Sequence, residues 1–199
     1  MKWWEINNID GIALRVVNGL KAWCVQDYSE MNKKRGLQWS ASRLVVDAPP
    51  STGVINSTGV MYSVISTGAL PVDLKLREFA FSGRSIVADI FENPTFTGGT
   101  SDPVYNANGV SPHVFELELL TGVIVTAEGD KFAPSIYALG SDSQQSKGMS
   151  NTLFGTNYIL APNTPYLLKF YSSDTQNQDI AARIEGYEGG LDVPNDDLT

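Results

Sequence analysis

At 199 residues with 42% hydrophobic content, the chain is long enough for one sizeable domain with a real core plus an extension. A net charge of −8 and a pI near 4.6 argue against unaided nucleic-acid binding, which needs clusters of Lys and Arg. Only 18% of residues are charged, and no apolar run approaches the roughly 20 residues of a membrane-spanning helix.

Residues 1–48 differ from the rest. They hold all four tryptophans (Trp3, Trp4, Trp23 and Trp39) and half of the 14 basic residues. Met1 to Asn8 has no apolar stretch of the secretory kind, so synthesis in a cytoplasm is expected. The one cysteine, Cys24, lies in apolar Ala22-Trp23-Cys24-Val25 and is expected to pack as a small hydrophobe. Asp27 to Gly36 predicts one or two helical turns, with Asp27 or Ser29 as cap, Lys33-Lys34-Arg35 at the cation-favouring end and Gly36 as terminator. That basic run reads either as a solvated helix end or as a partner-binding patch.

Ala48-Pro49-Pro50-Ser51-Thr52-Gly53 interrupts any helix or central strand. It divides the chain into an attachment arm, 1–48, and a body, 49–188. Val72, Leu74 and Leu76 alternate with Asp73, Lys75 and Arg77, which predicts a half-buried strand. Ser85 to Phe91 is apolar on both faces and reads as a central strand. Phe115, Leu117 and Leu119 alternate with Glu116 and Glu118, and further strands are expected at 123–126, 136–139, 158–160, 166–171 and around 180–184. Gly189 to Thr199 reads as an acidic, flexible tail. About eight short strands at regular spacing predict an all-β, antiparallel, jelly-roll-like β-sandwich, preceded by an extended arm containing a short helix.

Little in the chain is suited to catalysis. One histidine, His113, and one cysteine cannot assemble a zinc site, and no Gly-x-Ser-x-Gly elbow accompanies a serine nucleophile. Gly98-Gly99-Thr100 lacks the Lys and following helix of a phosphate loop. Carboxylate pairs drawn from Asp89, Glu92, Glu116, Glu118, Glu128 and Asp130 leave a glycosidase as the remaining catalytic option. On Glu116 and Glu118 the ordinary reading is solubilising charge. Asp192 to Asp197 lacks the ligand spacing of a calcium loop. The expectation is a protein that is not an enzyme and holds no metal or cofactor.

Several phrases then occur in a telling order. Tyr62-Ser63-Val64-Ile65-Ser66-Thr67-Gly68 precedes Ile86 to Thr95 with its Glu92-Asn93-Pro94-Thr95, followed by Gly98-Gly99-Thr100, Tyr105-Asn106-Ala107-Asn108 and Ile159-Leu160-Ala161-Pro162-Asn163-Thr164-Pro165-Tyr166. Over roughly residues 60–187 this order resembles a group of tailed-phage virion proteins found as capsid cement, decoration or head-fibre components. The chain departs from that pattern at Asn106-Ala107-Asn108-Gly109, where arginines are missing. The resemblance implies a structural protein on the capsid exterior, made in the host cytoplasm. It also implies binding to the major capsid protein, self-association as a homotrimer, and no nucleic-acid or membrane partner. Trp3, Trp4, Trp23, Lys33, Lys34, Arg35 and Trp39 are the candidate capsid-binding residues, because aromatics interleaved with cations have the profile of interface anchors. Packing of the same tryptophans in the chain's own core is the competing reading. The alternatives are a head-fibre, tail or adaptor component, and a module binding host-surface carbohydrate.

Overall fold

The computed structural model describes residues 30–140, 158–172 and 174–189, together with the backbone of 5–7, 13–16, 23–26, 28–29 and 148–151. Strands β1 (Glu5–Asn7), β2 (Ala13–Val16) and β3 (Trp23–Gln26) form a small antiparallel meander. These three strands form a sheet of their own, apart from the sheets of the body. Helix α1 (Tyr28–Arg35) follows, as the cap and charge pattern predicts.

The body runs through β4 (Gln38–Ala48), β5 (Met61–Ser66), β6 (Val72–Phe81), β7 (Ser85–Glu92), β8 (Thr95–Thr97), β9 (Thr100–Asp102), β10 (Tyr105–Asn106), β11 (Glu118–Thr121), β12 (Ile124–Ala127), β13 (Asp130–Lys131), β14 (Ile136–Leu139), β15 (Gly148–Asn151), β16 (Tyr158–Leu160), β17 (Pro165–Ser172) and β18 (Gln178–Glu188). One sheet has the order β10-β4-β18-β6, with β15 and β16 sharing the far edge of β6. The other runs β7-β17-β5-β11-β9, with β13 and β14 sharing the outer edge of β7. All the pairings are antiparallel. If β4, β5, β6, β7, β14, β16, β17 and β18 are counted one to eight, the sheets read 1-8-3-6 and 2-7-4-5, the strand order of a jelly roll. Residues 93–129, inserted between the fourth and fifth of these strands, extend both sheets through β10 and β11.

The position of β4 corrects one expectation. Gln38–Ala48, assigned to the arm from sequence, pairs with β18 along nearly its whole length, and Trp39 and Ala41 lie in the main core beside Ile65, Leu74 and Tyr166. The Pro49-Pro50 break falls between two strands of the body, where the chain crosses from one sheet to the other. A second cluster, with Met61, Phe79, Phe81, Ile86 and Ile180, fills the other end of the sandwich.

The resemblance-bearing phrases are joints. Asn93 and Asn163 take left-handed turns at φ 55° and 51°, a conformation asparagine tolerates better than most residues. Asn93 N–H donates to Pro165 O (3.0 Å) and Asn163 N–H to Gly68 O (2.8 Å). Thr67 Oγ1 donates to Ala161 O, and Tyr166 Oη donates to Glu92 Oε1 at 2.9 Å. The Ser-Thr-Gly, Glu-Asn-Pro-Thr and Pro-Asn-Thr-Pro-Tyr phrases therefore lock the ends of β5, β7 and β17 to one another.

The outer face of the β5–β17–β7 sheet is covered. The paired strands β8 and β12, with the adjoining Val123, lay Phe96, Val123 and Val125 over Tyr62, Val64, Leu167 and Phe91, making a third layer. This is why β7 and β17 are apolar on both faces. Beside that layer, buried Lys169 donates to Glu128 Oε1 and to Gly53 O, both at 2.6 Å, and Tyr62 Oη donates to the same Glu128 oxygen at 3.2 Å. Lys131 pairs with buried Asp89 at 3.0 Å. Gly129 takes φ +86° in the β12–β13 turn, where a Cβ would fall 2.1 Å from Glu92 O.

Burial pushes the Tyr62 phenol up to about 12; the Asn56 N–H opposes this, and the Glu128 carboxylate adds to it. The unfolded chain releases this proton near pH 10 and the folded chain holds it to about 12. The contribution to stability is therefore complete below pH 10 and lost as pH rises to 12. Chemical denaturation at pH 9 to 12 is expected to show Tyr62→Phe losing less stability across that interval than the parent. Parallel losses would mean that the phenol ionises as freely in the folded chain as in the unfolded one.

Candidate interaction surface

Eight residues are too few for a helix to persist alone, so α1 depends on its attachments. Its C-terminus closes with Gly36 N–H on Lys33 O and Leu37 N–H on Asn32 O, both 3.0 Å, with Gly36 at φ +77°. That is the paired bonding of a Schellman cap. Two further carbonyls are taken by the insertion: Asn106 Nδ2 donates to Gly36 O and Asn108 Nδ2 to Lys34 O, each at 2.9 Å. Ser111 packs so closely that a Cβ on residue 36 would fall 1.9 Å from its Oγ, which leaves no room for a side chain there. The Tyr-Asn-Ala-Asn phrase is thus a helix-capping device, and its asparagines act without the arginines found in the resembled pattern.

Lys33, Lys34 and Arg35 are all exposed on this anchored turn. Lys34 pairs with Glu30 at 2.7 Å one turn back; with Lys34 64% exposed, that bond is worth a few tenths of a kcal/mol. Among the described residues no ion pair holds Lys33 or Arg35. Beside them the insertion exposes Tyr105 (62%), Val110 (91%) and Val114 (81%). An open groove of about 500 Å³ lies next to these residues, lined by Asp102, Val104, Asn106, His113, Phe115 and Glu118 among others.

One carboxylate fixes this end of the molecule. Glu188 is fully buried at the end of β18. Its oxygens accept the N–H groups of Glu116 (3.0 Å) and Leu117 (2.8 Å), and Oε2 lies 3.3 Å from His113 Nε2. Nothing in the sequence singles out Glu188: it follows an alternating strand like any solvent-facing acid. The signal lies in its partners, two backbone amides some seventy residues away. The structure thus gives His113 a positioning partner that its Ser-Pro-His turn did not suggest. Among the described residues, no group of three His, Cys, Asp or Glu is arranged to hold a metal ion.

Of the seven residues singled out by sequence, Lys33, Lys34 and Arg35 share this surface. Trp39 does not: it is wholly buried in the core and has no area to offer a partner. Trp23 lies on β3, with only its backbone described, and Trp3 and Trp4 lie outside the described residues. The insertion residues Tyr105, Val110 and Val114 were missed, because isolated apolar residues among Gly, Ser and Pro carry no periodic signal.

No protein-family model and no curated protein matches the sequence. Two solved structures, one of infectious bursal disease virus Gx strain and one of the infectious bursal disease virus VP2 subviral particle, align with 94% of this chain at 16% identity. Their TM-scores are 0.15 and 0.18, and this chain spans half the length of each matched chain. Alignments at that level carry no argument, and the jelly-roll assignment rests on strand order alone.

Glu188→Ala is expected to cost about 3 kcal/mol, since the buried N–H of Leu117 and the partly buried N–H of Glu116 lose a charged acceptor. Glu188→Gln, which keeps one acceptor oxygen, is expected to lose less. Urea unfolding of the two variants checks this. Equal small losses would show that water replaces the carboxylate without penalty.

Proposed function

We propose that the chain is a non-enzymatic structural protein of a tailed-phage particle. In this reading it decorates or cements the capsid exterior as a homotrimer by binding the major capsid protein, without nucleic acid, membrane or cofactor. The observation that carries the reading is the exposed Lys33-Lys34-Arg35 turn, held rigidly by Asn106 and Asn108 on a chain of net charge −8. A small cationic site on an acidic body orients the molecule toward an acidic partner and repels it from other directions. Tyr105, Val110 and Val114 supply apolar contact area beside the charges. The order of the resemblance-bearing phrases supports the same role, and those at 66–68, 92–95, 105–108 and 161–166 serve as joints of the fold or caps of α1.

The test is add-back to tailed-phage particles prepared without the protein, imaged by electron microscopy and assayed for heat resistance. The parent chain is expected to restore surface density. Lys33→Glu/Lys34→Glu/Arg35→Glu is expected to lower occupancy about tenfold or more while shifting unfolding free energy by no more than about 0.5 kcal/mol, as exposed positions do. Undiminished binding by the triple variant would move the contact elsewhere. Failure of the parent to bind would end the reading.

A further inference from the structure

On the side of β4 away from β18, β10 covers only the start of the strand, with Tyr105 opposite Ser40 and Asn106 opposite Trp39. From Ala41 to Val46 no described strand pairs with that edge. Two bonds give the direction of the backbone groups. Leu37 O accepts Glu188 N–H on the β18 side, and Gln38 O accepts Ala107 N–H on the β10 side. In a strand the N–H and C=O of one residue point to one side and those of the next to the other. Ser42, Leu44 and Val46 therefore turn their N–H and C=O groups to the open edge. Leu44 and Val46 are also 66% and 67% exposed on the outer face. Natural edge strands are guarded by Lys, Pro, bulges or inward charges. Ala41 to Val46 contains no Lys or Pro. The left-handed residue Asp47 (φ 55°) lies just beyond it, and Arg43 is engaged by Tyr62 O and Ser63 Oγ within its own sandwich.

We propose that β4 pairs edge to edge with β4 of a second copy, antiparallel about a two-fold axis at Leu44. The occupant is a second copy because the open stretch is complementary to itself. In this register Leu44 meets Leu44 of the partner subunit, and Ser42 meets Val46 of the partner subunit. Every residue so matched has its N–H and C=O turned to the edge, as bonded antiparallel pairs require. Centring the axis on Arg43 or Val45 would leave one open residue of each chain unpaired. The limits of the stretch agree as well. Asp47 falls opposite Ala41 of the partner subunit, and its left-handed turn carries the chain off the edge before it meets the partner's β10. Charge permits the approach: the chain carries −8, yet no acid occurs between Ala41 and Val46. Asp47 faces no second acid across the pair and accepts Asn177 Nδ2 at 3.0 Å. Leu44 and Val46 of both copies then leave water together on the outer face. The contact goes beyond the role proposed above and does not rest on it. It joins two single chains, or two of the homotrimers of that reading.

The test is sedimentation of the full chain at rising concentration, up to about 1 mM because so small a contact is of the weak class. The parent is expected to reach twice the mass of Leu44→Lys, in which like charges face each other across the axis. Leu44→Glu is expected to stay at the lower mass too. An equal mixture of the two variants is expected to recover the doubled mass, with one chain of each. Hydrogen exchange on the parent alone gives an independent measurement. Amides of Ser42, Leu44 and Val46 are expected to exchange about tenfold more slowly in concentrated than in dilute solution, while those of Arg43 and Val45 are protected in both. A parent no heavier than Leu44→Lys at any concentration would overturn the proposal. A mixture that fails to recover would remove the two-fold register at Leu44. Doubled mass without protection of the three amides would place the contact on the outer face and overturn edge pairing. Copies that pair but do not bind particles would end the capsid reading and leave this contact standing. Binding to particles by a parent that never pairs would do the reverse.

Discussion

A carboxylate fully removed from water at the end of the last strand is the constraint on which this end of the fold depends. Such a group is costly unless hydrogen bonds replace its hydration. Glu188 obtains them from Glu116 and Leu117, residues of the insertion, with His113 alongside. Because β18 lies between β4 and β6 in the middle of its sheet, the carboxylate ties the centre of the sandwich to the insertion just ahead of β11. The same segment caps α1 through Asn106, Asn108 and Ser111. A chain of named contacts therefore leads from a core strand to three exposed cations, and those cations sit on a rigid mount although their helix is only eight residues long.

The all-β architecture was legible because its strands obey period two. In β6, Val72 and Leu74 lie in the main core, while Asp73, on the opposite face as the alternation requires, is buried as well. The irregularity opposite Glu185 and Gly186 shifts the phase, so Arg77 is buried where simple alternation places it in water. It stacks its guanidinium 4.5 Å from the Tyr158 ring. No local pattern announces a bulge, because it is set by the partner strand. The third layer was legible only indirectly: apolar residues on both faces of β7 implied a cover on each side without saying which segment supplies it.

The misreading of β4 has a specific cause. Trp39, Ala41, Arg43 and Val45 point inward and Ser40, Ser42, Leu44 and Val46 outward. A half-buried arginine and two exposed aliphatics blur the contrast between faces that marks a half-buried strand. Arg43 is tolerated inside because it donates to Tyr62 O and Ser63 Oγ on the opposing sheet at 2.7 and 2.8 Å. Trp39 was counted with the other tryptophans by composition, but its neighbours across the sandwich, Ile65 and Tyr166, decide its role, and they lie far away in sequence.

Magnitudes decide what kind of partner such a surface can hold. Exposed ion pairs are worth at most about 1 kcal/mol each, so three cations provide only a few kcal/mol before the cost of association is set against them. The flanking Tyr105, Val110 and Val114 add apolar area but form no deep pocket in which one anchor could dominate. A single copy meeting a single partner would therefore bind weakly and release readily in salt. Repetition changes that arithmetic, because copies joined to one another each gain from a neighbour already bound. A repeating acidic lattice suits a small, rigid cationic turn of this kind, whereas one isolated high-affinity receptor would require a larger and drier interface than α1 and the insertion provide.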